Sequence, residues 1–183
     1  MTPHPGVDGA PKGAQHTPAQ PVVIKIGGRS LEATGSSREF AAEVAALDGA
    51  ALLVHGGGGE VSEWCTRLGL ATRFVDGLRV TDSATLDVTV AVLGGLANKR
   101  LVAQLREAGV HAIGASAMDA GIEVVPHVDA SQLGLVGQVQ RVRCDVIDWM
   151  LDHGMTPVIS SIGAHGGELL NLNADEVAVC VTQ

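Results

Sequence analysis

Lys25 stands inside an apolar run, Val22-Val23-Ile24-Lys25-Ile26, that leads straight into Gly27-Gly28. A second apolar run, Ala51-Leu52-Leu53-Val54-His55, leads into four glycines, Gly56 to Gly59. A short apolar, β-branched run reads as a buried strand. Consecutive glycines behind it let the backbone turn tightly and direct several N–H groups at one point. A helix that starts there adds the positive end of its dipole. One lysine and two such turns predict a site for phosphate or carboxylate chemistry. Neither turn carries the G-x-x-x-x-G-K-[ST] pattern of a P-loop, and Val61 stands where a dinucleotide fingerprint places a third small residue. Taken singly, each turn also suits a tight strand-to-helix connection with no ligand.

The elements that must position these residues follow from local pattern. After the first strand, Ser36-Ser37 followed by Glu39 predicts a helix start, with an apolar stripe through Phe40, Val44 and Leu47. The second strand, 51–54, leads into a helix over about 60–68 that Gly69 closes. Residues 71–80 alternate as a short hairpin around Asp76-Gly77. Thr81-Asp82 offers an N-cap to a long helical stretch over about 82–108, bent or split at Gly94-Gly95 and stopped at Gly109. A third strand falls at about 110–115, an antiparallel hairpin at 120–143, and a helix at about 144–153 ending at Gly154. The fourth strand is 157–161; a glycine-rich loop follows, and Asn173 or Asp175 opens a last helix. Strands alternating with helices over short loops predict an α/β fold, a three-layer αβα sandwich around a mainly parallel sheet.

Composition narrows the function classes. The chain has 183 residues, enough for one domain with a sizeable core. Two Trp, two Phe and no Tyr leave that core to Val, Leu, Ile and Ala, as a doubly covered parallel sheet prefers. A formal net charge of −8 argues against nucleic-acid binding, which needs a basic surface. No apolar run approaches the roughly 20 residues of a membrane span. Residues 1–20, rich in Pro, Gly and polar residues, lack the apolar segment of a signal peptide and read as a disordered tail before a folded part at 21–183. Cys65, Cys144 and Cys180 are widely spaced and the histidines scattered, so neither a disulfide framework nor a metal site is expected; a reducing cytoplasm is.

Lys25-Ile-Gly-Gly, His55-Gly-Gly-Gly, Gly77-Leu-Arg-Val-Thr-Asp82, Ala97-Asn-Lys99 and Asn171-Leu-Asn-Ala-Asp175 occur in that order. The series resembles the amino acid kinase family, and within it the acetylglutamate kinases, from about residue 22 to residue 183. The G-L-R-V-T-D and N-x-N-A-D segments are its most specific parts. The resemblance implies transfer of the γ-phosphoryl group of ATP, with its Mg2+, to the side-chain carboxylate of N-acetyl-L-glutamate in arginine biosynthesis. A carboxylate is already a nucleophile at neutral pH, so such a reaction needs two anions held in line rather than a general base.

By the same resemblance Lys25 contacts the transferring phosphoryl group, and Asp175 orients lysine side chains by ion pairing. Gly27, Gly28, Gly57 and Gly58 supply N–H donors. Arg79 binds the α-carboxylate as a planar fork, and Asn171 holds that carboxylate or the acetamido group. A homodimer is implied, with the helix near 82–93 as its candidate seam. The family's C-terminal half, with most of the ATP site and a second lysine, has no counterpart here, which predicts an N-terminal, acetylglutamate-binding lobe.

Plainer roles compete at each position. Lys25 is also read as a surface strand end, Arg79 as a salt-bridge partner of Asp76 or Asp82, and Asn171 and Asp175 as helix caps. Lys99 suits a solvated helix face and His55 a satisfied strand-end histidine. Trp64 and Trp149 suit core or interface. A non-catalytic ligand-binding or dimerisation module, and a kinase for another acidic N-acyl amino acid such as acetylaminoadipate, are the rival functions.

Overall fold

A computed structural model describes residues 21–27 and 36–182. Gly28 and the tail at 1–20 lie outside the described residues.

Strands β1 (Val22–Ile26), β2 (Ala51–His55), β5 (Ala112–Ser116) and β8 (Thr156–Ser160) form one sheet in the order β1-β2-β8-β5. Every pair in it is parallel. β2 is buried along its whole length because both faces of the sheet are covered. Ala51 and Leu53 pack with Ala41 and Val44 of α1 (Ser36–Ala45) and with Leu101 and Leu105 of α4 (Asn98–Glu107). Leu52 and Val54 face the other way, onto Ile147 of α6 (Asp145–Asp152) and Val177 of α7 (Ala174–Cys180). Period-two alternation along one strand thus feeds two cores and makes the three-layer sandwich. A smaller cluster joins Val61 and Cys65 of α2 (Gly58–Arg67) to Val88 of α3 (Ser83–Thr89) and to Ile162.

Turn and cap chemistry behave as the residue types require. Asp76 and Gly77 both take positive φ, 49° and 82°, in the tight turn between β3 (Phe74–Val75) and β4 (Leu78–Arg79). That is the conformation a two-residue hairpin favours and that Asp-Gly tolerates. Asp82 caps α3, its carboxylate accepting from the Thr85 N–H at 2.8 Å. The Thr85 side chain first, and then this backbone bond, hold the Asp82 carboxyl below the ordinary carboxylate range. β6 (Ile122–Pro126) and β7 (Gly137–Val142) form the expected antiparallel excursion, with the short α5 (Ala130–Leu133) inside it.

Three expectations are corrected. Leu47 lies beyond the end of α1 and is exposed, whereas Ala41 takes the buried place on that helix. Gly94-Gly95 neither ends nor splits the long helix. Val90–Ala97 continues from α3 to α4 as a π-helical segment, and side chains lacking Cβ leave the backbone free to widen there. The glycine-rich stretch after β8 is a hairpin of β9 (Ile162–His165) and β10 (Glu168–Asn171), turned through Gly166 and Gly167 at positive φ. No helix among the described residues is long and apolar enough to cross a membrane.

Candidate active site

Ligands of parallel α/β sheets bind beyond the carboxyl ends of the strands. Here those ends carry the two glycine turns side by side. Ile26 pairs with His55 in register, and the Gly56 N–H donates to the Ile26 carbonyl at 3.3 Å. Lys25 Nζ approaches the first turn: a Cβ on Gly27 would lie 3.9 Å from it. The same ammonium is 2.8 Å from Asp175 Oδ1. Asp175 stands in the first turn of α7, a position set by Asn173, whose side chain caps that helix by accepting from the Asp175 N–H at 2.8 Å. The Lys25 and Asp175 side chains are 33% and 69% exposed. An ion pair so open contributes no more than about 1 kcal/mol to stability. Its consequence is the direction it gives the lysine.

The second turn is enclosed. A Cβ on Gly57 would meet Leu93 Cδ2 at 2.7 Å, so any larger residue there must displace that buried leucine. Gly57 caps α2 without a side-chain bond, which leaves the N–H groups of its first turn for a ligand. Across from them Arg79, buried, donates from Nη2 to the Gly58 carbonyl at 2.6 Å and to Ser62 Oγ at 2.8 Å. Its guanidinium lies 4.7 Å from the centre of the Phe74 ring. Nη1 is buried with no hydrogen-bond partner among the described residues. Burial lowers the Arg79 pKa from its ordinary value, and Cys65 nearby opposes the shift. Neither Asp76 nor Asp82 pairs with it. A buried guanidinium with a spare donor and no carboxylate is poised for an anion.

Asn171, at the end of β10, donates from Nδ2 to the buried Thr81 Oγ1 at 3.2 Å. Gly56, Gly57, Gly58, Arg79, Asn171 and Asp175 all line one open cleft with about 190 Å3 of space. That space suits a small polar molecule. Lys25 and Gly27 stand beside the cleft and join it through Asp175. The structure therefore gathers every described residue singled out for chemistry. Sequence reasoning missed Ser62 and Phe74, which hold the guanidinium, and Thr81, which holds Asn171. Ser62 has no local signature; Phe74 was visible in the hairpin but not as a ring over Arg79.

The remaining candidates fall on the plainer side. Lys99 is exposed, as a solvated helix face requires, and His55 is buried with both ring nitrogens partnered. Trp64 packs against the α2–α3 cluster. Trp149 is 54% exposed and stacks on His153 at 4.4 Å, so it is not a core residue. No group of three His, Cys, Asp or Glu that could hold a metal ion occurs among the described residues.

The profile of the amino acid kinase family matches residues 20–183. The chain belongs to that family. It is 44% identical over 163 residues to the acetylglutamate kinase of Methanopyrus kandleri, covering 85% of this chain and 63% of that one. It is 42% identical over 164 residues to the acetylglutamate kinase of Dehalococcoides mccartyi, covering 86% and 60%. The chain thus spans about three-fifths of the length of these curated relatives. Among solved structures it resembles smu.665 from Streptococcus mutans at TM-score 0.76 and 27% identity, over 88% of this chain and 66% of that one. The N-acetylglutamate synthase of Neisseria gonorrhoeae, at TM-score 0.75 and 23% identity over 88% and 38%, shares the fold.

Proposed function

We propose that residues 21–183 form the substrate-binding lobe of an acetylglutamate kinase that phosphorylates the side-chain carboxylate of N-acetyl-L-glutamate with ATP. The observation that carries this reading is the buried guanidinium of Arg79, which has no carboxylate partner among the described residues, on the wall of a cleft that also collects Asn171 and the second glycine turn. The α-carboxylate of the substrate supplies the acceptor that Arg79 Nη1 lacks, and Asn171 binds that carboxylate or the acetamido group. The side-chain carboxylate then reaches the strand ends, where the N–H groups of Gly57 and Gly58, with those of Gly27 and Gly28, meet its oxygens and those of the phosphoryl group.

The carboxylate oxygen attacks the γ-phosphorus, the bond to the β-phosphate bridging oxygen breaks, and ADP leaves with its electron pair. Lys25, directed by Asp175, neutralises charge on the transferring group. No proton needs to move. Mg2+ travels with the nucleotide phosphates, since the described residues offer no cluster to bind it alone. The same reading carries a homodimer in the cytoplasm.

Differential scanning fluorimetry tests it. Millimolar N-acetyl-L-glutamate raises the melting temperature of the wild-type chain, and Arg79→Ala abolishes the rise. An unchanged melting curve for the wild type sinks the proposal. Stronger stabilisation by N-acetyl-aminoadipate in competition transfers the assignment to that substrate. Binding without phosphoryl transfer from ATP and Mg2+ identifies a binding module.

A further inference from the structure

β2 ends on a buried histidine, and the cleft chemistry above makes no use of it. His55 is fully buried. Its Nδ1 lies 2.9 Å from the Gly56 carbonyl oxygen, and its Nε2 lies 3.1 Å from Asn98 Nδ2. Asn98 is buried where the π-helical segment meets α4, and the same Nδ2 is 2.9 Å from the Val158 carbonyl oxygen of β8. A carbonyl only accepts, so this end of the amide is the donor. Lys99 Nζ, which only donates, sits 3.0 Å from Asn98 Oδ1 and agrees. His55 Nε2 therefore accepts, and Nδ1 carries the proton and donates to Gly56. Gly114 of β5 makes room for this arrangement, because a Cβ there would overlap Asn98 Oδ1. Burial lowers the His55 pKa; the bond to Gly56 opposes that, and the charge of Lys99 adds to it.

The C=O and N–H of one trans peptide unit point in opposite directions. The Gly56–Gly57 peptide is trans. Turning the Gly56 carbonyl towards the His55 ring therefore turns the Gly57 N–H away from it. Gly57 lines the cleft, and its N–H meets no acceptor among the described residues. We infer that His55 is a positioning residue which, through the Gly56 carbonyl, aims the Gly57 N–H at the anion the cleft receives. Asn98 and Val158 hold the ring in the tautomer that does so. The inference rests on the acetylglutamate reading for the identity of that anion, and on the geometry alone for the orientation.

Asparagine and glutamine separate this role from simple filling of space. The side-chain nitrogen of Asn falls near the place of Nδ1, and the amide of Gln near that of Nε2. In ligand-free 15N–1H spectra His55→Asn keeps the Gly57 amide resonance close to wild type, whereas His55→Gln and His55→Leu displace it. By calorimetry, N-acetyl-L-glutamate binds His55→Asn within about threefold of wild type and binds the Gln and Leu variants about tenfold more weakly, the scale of one hydrogen bond. Imidazole 15N shifts of the wild type, which need no variant to fold, place the proton on Nδ1 at neutral pH.

A ring protonated on Nε2, or a glutamine that preserves the resonance where asparagine does not, overturns the inference. Ligand binding that Arg79→Ala abolishes but all three His55 variants keep overturns it too, and leaves the acetylglutamate reading intact. No binding by wild type, with the Gly57 resonance still following the Asn and Gln order, overturns the acetylglutamate reading and leaves the positioning role standing.

Discussion

The two glycine turns look alike in sequence and differ in construction. Gly27, the described part of the turn after β1, stands in the open. Its lysine is one-third exposed, its carboxylate partner more so, and a methyl group on Gly27 would make only an ordinary contact. The turn after β2 is pinned from three sides, by Leu93 against Gly57, by Arg79 on the Gly58 carbonyl and by His55 on the Gly56 carbonyl. One turn is built to let a charged side chain adjust, the other to hold backbone dipoles still. Fixed dipoles suit an anion whose position must not vary, and a partly exposed ammonium directed by a carboxylate suits a group in transit.

The contrast orders the expected effects of substitution. Arg79→Ala removes the charged wall of the pinned turn and weakens N-acetyl-L-glutamate binding by about 100-fold, the scale of a hydrogen bond between charged groups through Nη1 rather than of the fork expected from sequence, because Nη2 is already held by Gly58 and Ser62; titration calorimetry reads it. Gly57→Ala drives a methyl group into Leu93 and destabilises the fold by about 1–3 kcal/mol, measured by urea denaturation.

Protonation of the pinned turn has a defined sign. The folded pKa of His55 lies below its ordinary 6.5, so below that pH the unfolded chain binds the proton more readily than the native one. Its contribution to stability is complete above pH 6.5 and is lost as pH falls from there through the folded value. Urea melts between pH 8 and pH 5 show a decline in wild type that is smaller in His55→Asn.

At the open turn the effects shrink. Asp175→Asn breaks the pair with Lys25 yet changes folding stability by less than about 1 kcal/mol, as an exposed ion pair allows. Gly27→Ala changes it by less than about 0.5 kcal/mol. A large loss of stability in either variant would erase the distinction between the turns.

Much of the scaffold was legible before any coordinates. β1 and β2 are short, mainly aliphatic runs, and such runs have few alternatives to a buried parallel strand. Asp76-Gly77 and Asp82 announce their turn and cap because their side chains act on backbone a few residues away. Gly166-Gly167 carries the same kind of signal, but a glycine pair suits an open loop as well as the hairpin turn found there. The π-helical stretch had no signature, since its sequence is equally apolar on all sides. Leu47 misled because the apolar period runs on past the last helical residue.

The site divides in the same way. Lys25, Arg79, Asn171 and the glycines were recognisable by residue type and order. Asp175 as a lysine's partner was implied by the family resemblance; the partners of Arg79 and Asn171 were not. Ser62 and Phe74 became ligands of Arg79 only because α2 and the β3–β4 hairpin meet over the guanidinium. Asn98 reached His55 only because α4 packs against the neighbouring strands.

By itself the chain's order of residues determined its strands, most helix limits, its tight turns and the inventory of charged and glycine positions. These depend on steric and hydrogen-bonding choices made within a few residues. Tertiary structure alone decided that Ser62 and Phe74 would close on Arg79, that its Nη1 would be buried without a partner among the described residues, and that the His55 ring would turn the Gly56 carbonyl. Each of those outcomes depends on which strand ends lie side by side in the order β1-β2-β8-β5. Contacts between distant segments form against loop-closure entropy and are selected by packing of the whole sheet, and no local pattern records them.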